Sequence, residues 1–471
     1  MGVTLLWVTV GGGVHAAEGD HTVPPVTRAR ENPRSGEARF IQWEKETLSP
    51  VGSSTSETEA SSLDALGKMI AGAPMVSLGE AVHGAAEPLM FRNRLLEYLV
   101  ARKGFTAIAI ESGTVESRVV HDYVRGALGD LRDTLERGLS WTFDRLPENE
   151  ALVRWMRDYN DDPRNTFKVN FYGLDIPGSP GNPNAHRGLA TALMEALAFI
   201  DRVDSVEGRR LHKRLEPYFA RINLNPYSAA EVPSYDDLPQ SDRDGLTAGI
   251  AELIRLMSRR KAVYAAASSA TDYRWGYRAA IGAGQVDRWL RQFPPGWRES
   301  ADTTKYLSAA DDVRDRAQAD NLRWIAEQER PHGKVLIFAH LAHVSTAQIR
   351  AHWVAQRWEN PMGLFLRREF GNRLVTIGNI VGGGTVECAG VACCAGFRQT
   401  LEPASPDSIA GLAGEAGAPQ FLLDLRTAPA PVARWLEHDQ QLGRGEDAFD
   451  VSVGRAFDVL LYLSAVTPAC H

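Results

Sequence analysis

Two stretches of this chain, Phe105–Ile110 and Lys334–Ala339, are continuous runs of strand-forming residues with the pattern of buried strands, and Phe167–Tyr172 reads as a third strand. A shorter apolar run, Pro74-Met75-Val76, opens a further strand at Met75–Leu78. Runs without polar alternation fit strands covered on both faces, which means a parallel sheet between layers of helices. Helical spacing lies between the runs, at Leu63–Ile70, Leu89–Val100, Val115–Val124, Leu131–Leu139 and Glu148–Tyr159. The expected fold is therefore α/β, with a central, largely parallel sheet flanked by helices. Further strands are expected at Gly363–Leu366, Leu374–Ile380, Phe421–Leu425 and Val459–Tyr462.

Each run ends in groups that carry chemistry. The first leads into SLGEAVHG with Glu80 and His83, the second into Glu111, the third into Asp175, and the fourth into His340 and His343. Parallel strands place all their carboxyl ends on one edge, where α/β proteins bind ligands. Carboxylates and imidazoles gathered there suit general acid–base work. Each residue also has a structural reading: Glu111 as a helix cap, Asp175 as a turn holder, His343 as a packed histidine. All of them being structural at once is the less favoured reading. No G-x-S-x-G elbow, H-E-x-x-H helix or phosphate-binding glycine loop occurs, and Ser112 alone does not suggest a serine hydrolase. Attack by an activated water is what remains.

From 186 to 329 the pattern is helical, which reads as a large helical insertion in a core made of 63–185 and 330–471. Residues 18–62 are polar and read as a mostly disordered leader, with Phe40 and Trp43 anchoring one short helix. Residues 1–17 hold an apolar run, Val3–Val14, followed by Val14-His15-Ala16, and read as a signal segment. That points to a periplasmic or secreted protein. The run has no preceding Lys or Arg, so the cytoplasm stays as the alternative, and it is too short to span a bilayer.

A formal charge of −7 with dispersed basic residues gives nucleic acid no footprint. Hydrophobic content of 44% and charged content of 24% supply an ordinary core. The four cysteines, Cys388, Cys393, Cys394 and Cys470, suit a disulfide within the cluster or to Cys470. No paired C-x-x-C or nearby His completes a zinc set. Oligomeric state is not legible.

Several ordered motifs resemble the erythromycin esterase family: GEAVHG (79–84), Phe91-Arg92-Asn93-Arg94, FTAIAIES (105–112) and FYGLDI (171–176). DVRDRAQADNL (312–322), VLIFAHLAHV (335–344), PMGLFLRREFG (361–371), FLLDLR (421–426) and AFDVLLYL (456–463) follow in the same order. The resemblance implies a hydrolase that cleaves a carboxylic ester or lactone, a macrolide among the candidates, without a cofactor. It implies His83 as general base, Glu111 orienting it, Arg92 holding the group together and His340 assisting at the substrate carbonyl. Glu80 occupies a matching catalytic position, and Asp175, His343 and Arg94 are expected to contact substrate. The chain departs from the family pattern at Leu341, where an Asn is usual, and at Val82, where a Thr is frequent. Two other classes stay open: a metal-dependent hydrolase using Glu80, His83, Glu111 and His340 as ligands, and a non-catalytic protein binding a cofactor or glycan.

Overall fold

The computed structural model describes residues 33–470, apart from 53–57, 179–187, 220–234, 236–237, 332, 353–356, 390–391, 394–395, 397 and 444–447. The signal-like segment 1–17 lies outside the described residues. An eight-stranded sheet runs Ser49–Pro50, Gln420–Asp424, Val459–Leu463, Leu374–Val381, Met75–Glu80, Val335–His340, Ala107–Gly113, Asn170–Asp175. From Val459–Leu463 onward every pairing is parallel, whereas Gln420–Asp424 runs antiparallel to both neighbours. The four strands expected to carry the site are thus adjacent, and Glu80 stands in register with His340.

The central strands are buried along nearly all their length, with Asn170 and His340 at two strand ends partly exposed, as a sheet covered on both faces requires. Val76, Leu78, Ile108, Ile110, Leu336 and Phe338 point into one apolar layer. Met75, Ala107, Ala109, Ile337 and Ala339 point into the other, as strand alternation dictates. Two glycines permit close approach at the carboxyl edge. A β-carbon on Gly79 would lie 3.0 Å from the Leu341 backbone, and one on Gly173 would lie 2.4 Å from the Gly113 carbonyl oxygen. The latter contact sits beside a register shift between Ile110 and Gly113.

Residues 188–328 form the helices Gly188–Val203, Ser205–Phe219, Gln240–Arg259, Lys261–Ala267, Ala270–Leu290 and Thr304–Gln328. They share an apolar core of their own, with Leu193, Phe199, Leu253, Tyr264 and Trp289. The last helix also packs on the sheet through Ala319, Leu322 and Ile325. No helix among the described residues is long and apolar enough to cross a membrane.

One expected strand changes. Gly363–Leu366 is not a strand but part of the helix Met362–Phe370. Its buried residues Met362, Gly363, Leu366 and Phe370 fall on one helical face, and Pro361 precedes it at the N-cap. The polar leader contains the fifteen-residue helix Pro33–Thr47. Phe40 and Trp43 are buried there against the core, and Phe40 stacks near Trp435 at 5.3 Å, so this part is ordered. The glycine- and cysteine-rich stretch after Gly382 holds two short hairpin pairings, Gly384–Val386 with Gln399–Leu401 and Cys388–Ala389 with Ala392–Cys393. Cys470 is held in a disulfide.

Candidate active site

The turn after Met75–Glu80 brings His83 back over its own strand end, and His83 Nδ1 hydrogen-bonds the Glu80 carboxylate. Glu80 is buried, while the His83 side chain keeps 13% exposure at the edge. Burial alone would push the His83 pKa down. The charge and hydrogen bond of Glu80, with Glu111 adding to them, outweigh it and hold the pKa above the ordinary histidine value. With Nδ1 engaged by a carboxylate, Nε2 is the ring nitrogen left to accept a proton.

His340 faces this dyad, its ring centroid 5.1 Å from that of His83. Its Nδ1 accepts a long hydrogen bond (3.4 Å) from the Ala342 backbone N–H, so His340 caps the short helix Leu341–Val344. Burial, and next the neighbouring His83, push its pKa down to about 3. His340 is therefore neutral, with Nδ1 as acceptor and the proton on Nε2, a donor without charge. Phe143 lies 5.6 Å from His83 and Phe449 lies 5.6 Å from His340, so four rings line the edge in a row.

Glu111 sits beneath the histidines rather than on His83. Its Oε2 accepts from the His340 backbone N–H (2.7 Å), and its Oε1 accepts from Arg314 Nη2 (2.7 Å) and lies 3.2 Å from His343 Nε2. Burial opposes its charge, but His343 and Arg314 hold its carboxyl well below the usual range. The resemblance implied Glu111 as the orienting partner of His83; in the structure Glu80 makes that contact. Glu111 positions the His340 backbone instead.

Asp175 and His343, expected to touch substrate, are enclosed. Asp175 is fully buried, binding Arg314 through both oxygens (2.6 Å at the shortest), Gln318 (3.1 Å) and the Ile176 N–H (2.8 Å). His343 is also buried, between Asp315 (2.9 Å) and Glu111. Each ring nitrogen meets a carboxylate, so both carry protons. Burial pulls its pKa down, yet Asp315 and Glu111 raise it to about 10. Both residues spend their polar atoms on buried charge partners.

Arg92 is buried under the site. It lies 4.8 Å over the Phe338 ring and donates to Asn149 Oδ1 (2.8 Å) and Asn93 Oδ1 (2.8 Å). Burial lowers its pKa to about 10, and Glu80 and Glu148 counteract through space. Asn149 in turn donates to the Phe143 carbonyl (2.8 Å), so Arg92 helps hold the loop that presents Phe143. Arg94 stands two residues on, on another face of the helix Ala86–Lys103, and donates to the Gly52 carbonyl.

Two contributions escaped the sequence reading. The helix Thr304–Gln328, assigned to the insertion, sends Asp311, Arg314, Asp315 and Gln318 to the sheet edge at helical spacing. Arg314 joins Glu111 to Asp175 and lies 5.1 Å over the Trp141 ring. Asp311, half-buried, has its pKa raised to about 7 by burial, with Arg314 opposing. The motif DVRDRAQADNL held this signal; its register toward the sheet was not readable. The second contribution is the loop at Trp141 and Thr142, consecutive non-glycine residues with φ of +64° and +63°. Such conformations cost of the order of 1 kcal/mol or more each and persist where the surroundings fix them. Here Ser140 N–H donates to Ser112 Oγ (2.8 Å) and Gly113 N–H donates to Ser140 Oγ (3.0 Å). Ser112 is thus buried scaffold.

The four residues proposed as metal ligands do not present a free donor set. Glu111 spends both oxygens on Arg314, His343 and the His340 N–H, and His83 Nδ1 is turned to Glu80. Among the described residues no three of His, Cys, Asp and Glu converge as a cation requires. Leu341, in the position where the family carries Asn, is buried in the sheet's apolar layer and lies away from solvent.

A profile described as "Erythromycin esterase" matches residues 100–466. Erythromycin esterase type II of Escherichia coli is 25% identical over 350 residues, 72% of this chain and 76% of that protein. Erythromycin esterase type I of the same species is 30% identical over 138 residues, 29% of this chain and 32% of the relative. A Bacillus cereus protein of known crystal structure superposes with a TM-score of 0.72 at 23% identity, covering 93% of this chain and 98% of that one. An erythromycin esterase mutant in its open conformation gives 0.65 at 17% identity, covering 87% and 94%. The solved structures share the fold, and the profile spans most of the chain: this protein belongs to the erythromycin esterase family.

Proposed function

We propose that this protein hydrolyses a carboxylic ester or lactone, with His83 activating the attacking water. The observation that carries the reading is the Glu80–His83 dyad facing a neutral His340. His83 Nε2 takes a proton from water as the water oxygen bonds to the substrate carbonyl carbon. The negative charge that develops on the carbonyl oxygen is met by His340 Nε2–H, an uncharged donor as oxyanion sites use. When the intermediate collapses, the carbon–oxygen ester bond breaks and the leaving oxygen takes the proton from His83. Acid and alcohol result; in a lactone they stay joined as one opened chain. Family membership and the erythromycin esterases among the relatives make a macrolide lactone the first substrate to examine. Simple esters and smaller lactones follow.

The test is a panel of macrolides, lactones and simple esters read by mass spectrometry for added water, with wild type beside His83→Asn. Asn retains hydrogen bonding but cannot take the proton. A turnover loss of about a hundred- to ten-thousand-fold in a folded variant is expected. A folded His83→Asn protein with near-normal turnover would remove His83 as the base. No hydrolysis across the panel, with tight binding of one compound, would favour the binding-protein reading.

A further inference from the structure

Arg278, on the helix Ala270–Leu290, keeps only 7% exposure, yet its Nε and Nη2 have no hydrogen-bond partner. A guanidinium taken out of water without an acceptor is costly, since arginine cannot shed its proton as lysine can. Its surroundings compensate only in part. The ring of Trp324 lies under it at 5.5 Å, and burial is the main cause that lowers its pKa to about 10. Asp320 and Glu327 act on it through space, but Asp320 is already paired with Arg323 at 2.7 Å.

Arg278 lines a narrow, mostly enclosed cleft between the helical region and the helix that starts at Arg118. Two further guanidinium groups line the same cleft, Arg118 and Arg202, against one carboxylate, Glu195. Arg118 is held in place by Asp272 (2.8 Å) and lies 5.8 Å over the Trp275 ring. Arg202 lies 5.8 Å over Phe199 and is exposed at the mouth. Trp275 and Trp324 meet edge to face at 5.1 Å, so the aromatic wall joins Arg118 to Arg278. The cleft shares no residue with the Glu80–His83 site.

We propose that this cleft binds a small oxyanion, the carboxylate or phosphate group of a ligand, with Arg278 and Arg202 as its charged contacts. Arg118 is already paired with Asp272, so Arg278 and Arg202 against the single lining carboxylate Glu195 set the sign of the ligand. The buried, unpartnered N–H groups supply a donor set that only an acceptor can satisfy.

Isothermal titration at constant ionic strength tests this, using inorganic phosphate and succinate as probes and chloride as the control. Saturable binding of either is expected, and the probe that binds tells phosphoryl from carboxylate ligands. Replacing Arg278 with Met should weaken that binding about tenfold to a hundredfold, as loss of a charge-assisted hydrogen bond implies. Arg202→Gln, on an exposed residue, should weaken it severalfold. Ester turnover by Arg202→Gln should be unchanged. Absence of saturable binding by both probes would overturn the proposal. So would unaltered affinity in Arg202→Gln together with unaltered affinity in a folded Arg278→Met.

Discussion

His83 and His340 face each other with ring centroids 5.1 Å apart, yet their surroundings drive their proton affinities in opposite directions. Glu80 holds His83 toward the charged form, whereas burial, and next His83 itself, keep His340 neutral. Two imidazoles so close repel when both are charged, so the separation lets one take protons while the other donates a hydrogen bond.

The first consequence is a pH profile. His83 must be neutral to accept a proton, and its pKa in the folded protein lies above 6.5. Activity should therefore be low in mild acid and climb on the alkaline side of an ordinary histidine. Glu80→Gln removes the charge that raises the value, so the midpoint of kcat/KM against pH should move down. A midpoint that stays in place would detach Glu80 from the base.

His340 should leave no limb of its own in that profile, because at about 3 its ionisation falls below the working range. Its role is tested by truncation. His340→Ala should lower kcat by about a hundred- to a thousandfold, the usual loss for one oxyanion donor, with little change in KM. A loss confined to KM would place His340 in binding.

Arg314 ties Glu111 and Asp175 together in the buried layer under the site. Arg314→Met leaves the buried Asp175 without its cation and Glu111 with His343 alone, and such breaks cost about 3–5 kcal/mol. Urea unfolding should show that loss as a lower midpoint. Arg314→Lys should recover only part of it, since a single ammonium cannot span both carboxylates as the guanidinium does. Equal stability in Arg314→Met would mean that the carboxylates take up protons at little cost.

His343 links stability to pH in the opposite half of the range. Its folded pKa is raised to about 10, above the unfolded histidine value, so its contribution is complete below about 6.5 and fades as pH rises toward 10. Melting temperatures measured from neutral to alkaline pH should fall in the wild type. The fall should be shallower in His343→Asn. Parallel curves would assign the alkaline loss to other groups.

Much of this was legible before any coordinates. Strand-forming runs set between helical stretches mark a parallel sheet, so Glu80, Glu111, Asp175 and His340 could be placed at one edge from sequence alone. What the runs do not encode is which side of the edge each side chain takes. Glu80 and Glu111 both end parallel strands, yet only Glu80 reaches His83, through a turn that a one-residue shift would abolish. Arg314 was hidden for a different reason: the helix Thr304–Gln328 reads like the helices before it, and only packing shows that one face meets the sheet. Met362–Phe370 was mistaken for a strand because four residues of Gly363–Leu366 are too few to tell a period of 2 from 3.6. Trp141 and Thr142 left no trace, since left-handed backbone at non-glycine residues is imposed by surroundings that the local sequence does not name.

The place of Val335–His340 between Met75–Glu80 and Ala107–Gly113 has a consequence for how the protein comes off the ribosome. The two outer strands are made early, but the one that joins them emerges more than two hundred residues later. Until then each offers an open row of backbone donors and acceptors, the kind of edge on which nascent chains stick to one another. The helical region is synthesised during that interval and has an apolar core of its own, so it can fold while the slot waits. A premature stop between residues 114 and 334 would yield a product that lacks His340 and His343 and leaves Met75–Glu80 and Ala107–Gly113 with unsealed edges, fit for a chaperone or a protease and not for turnover.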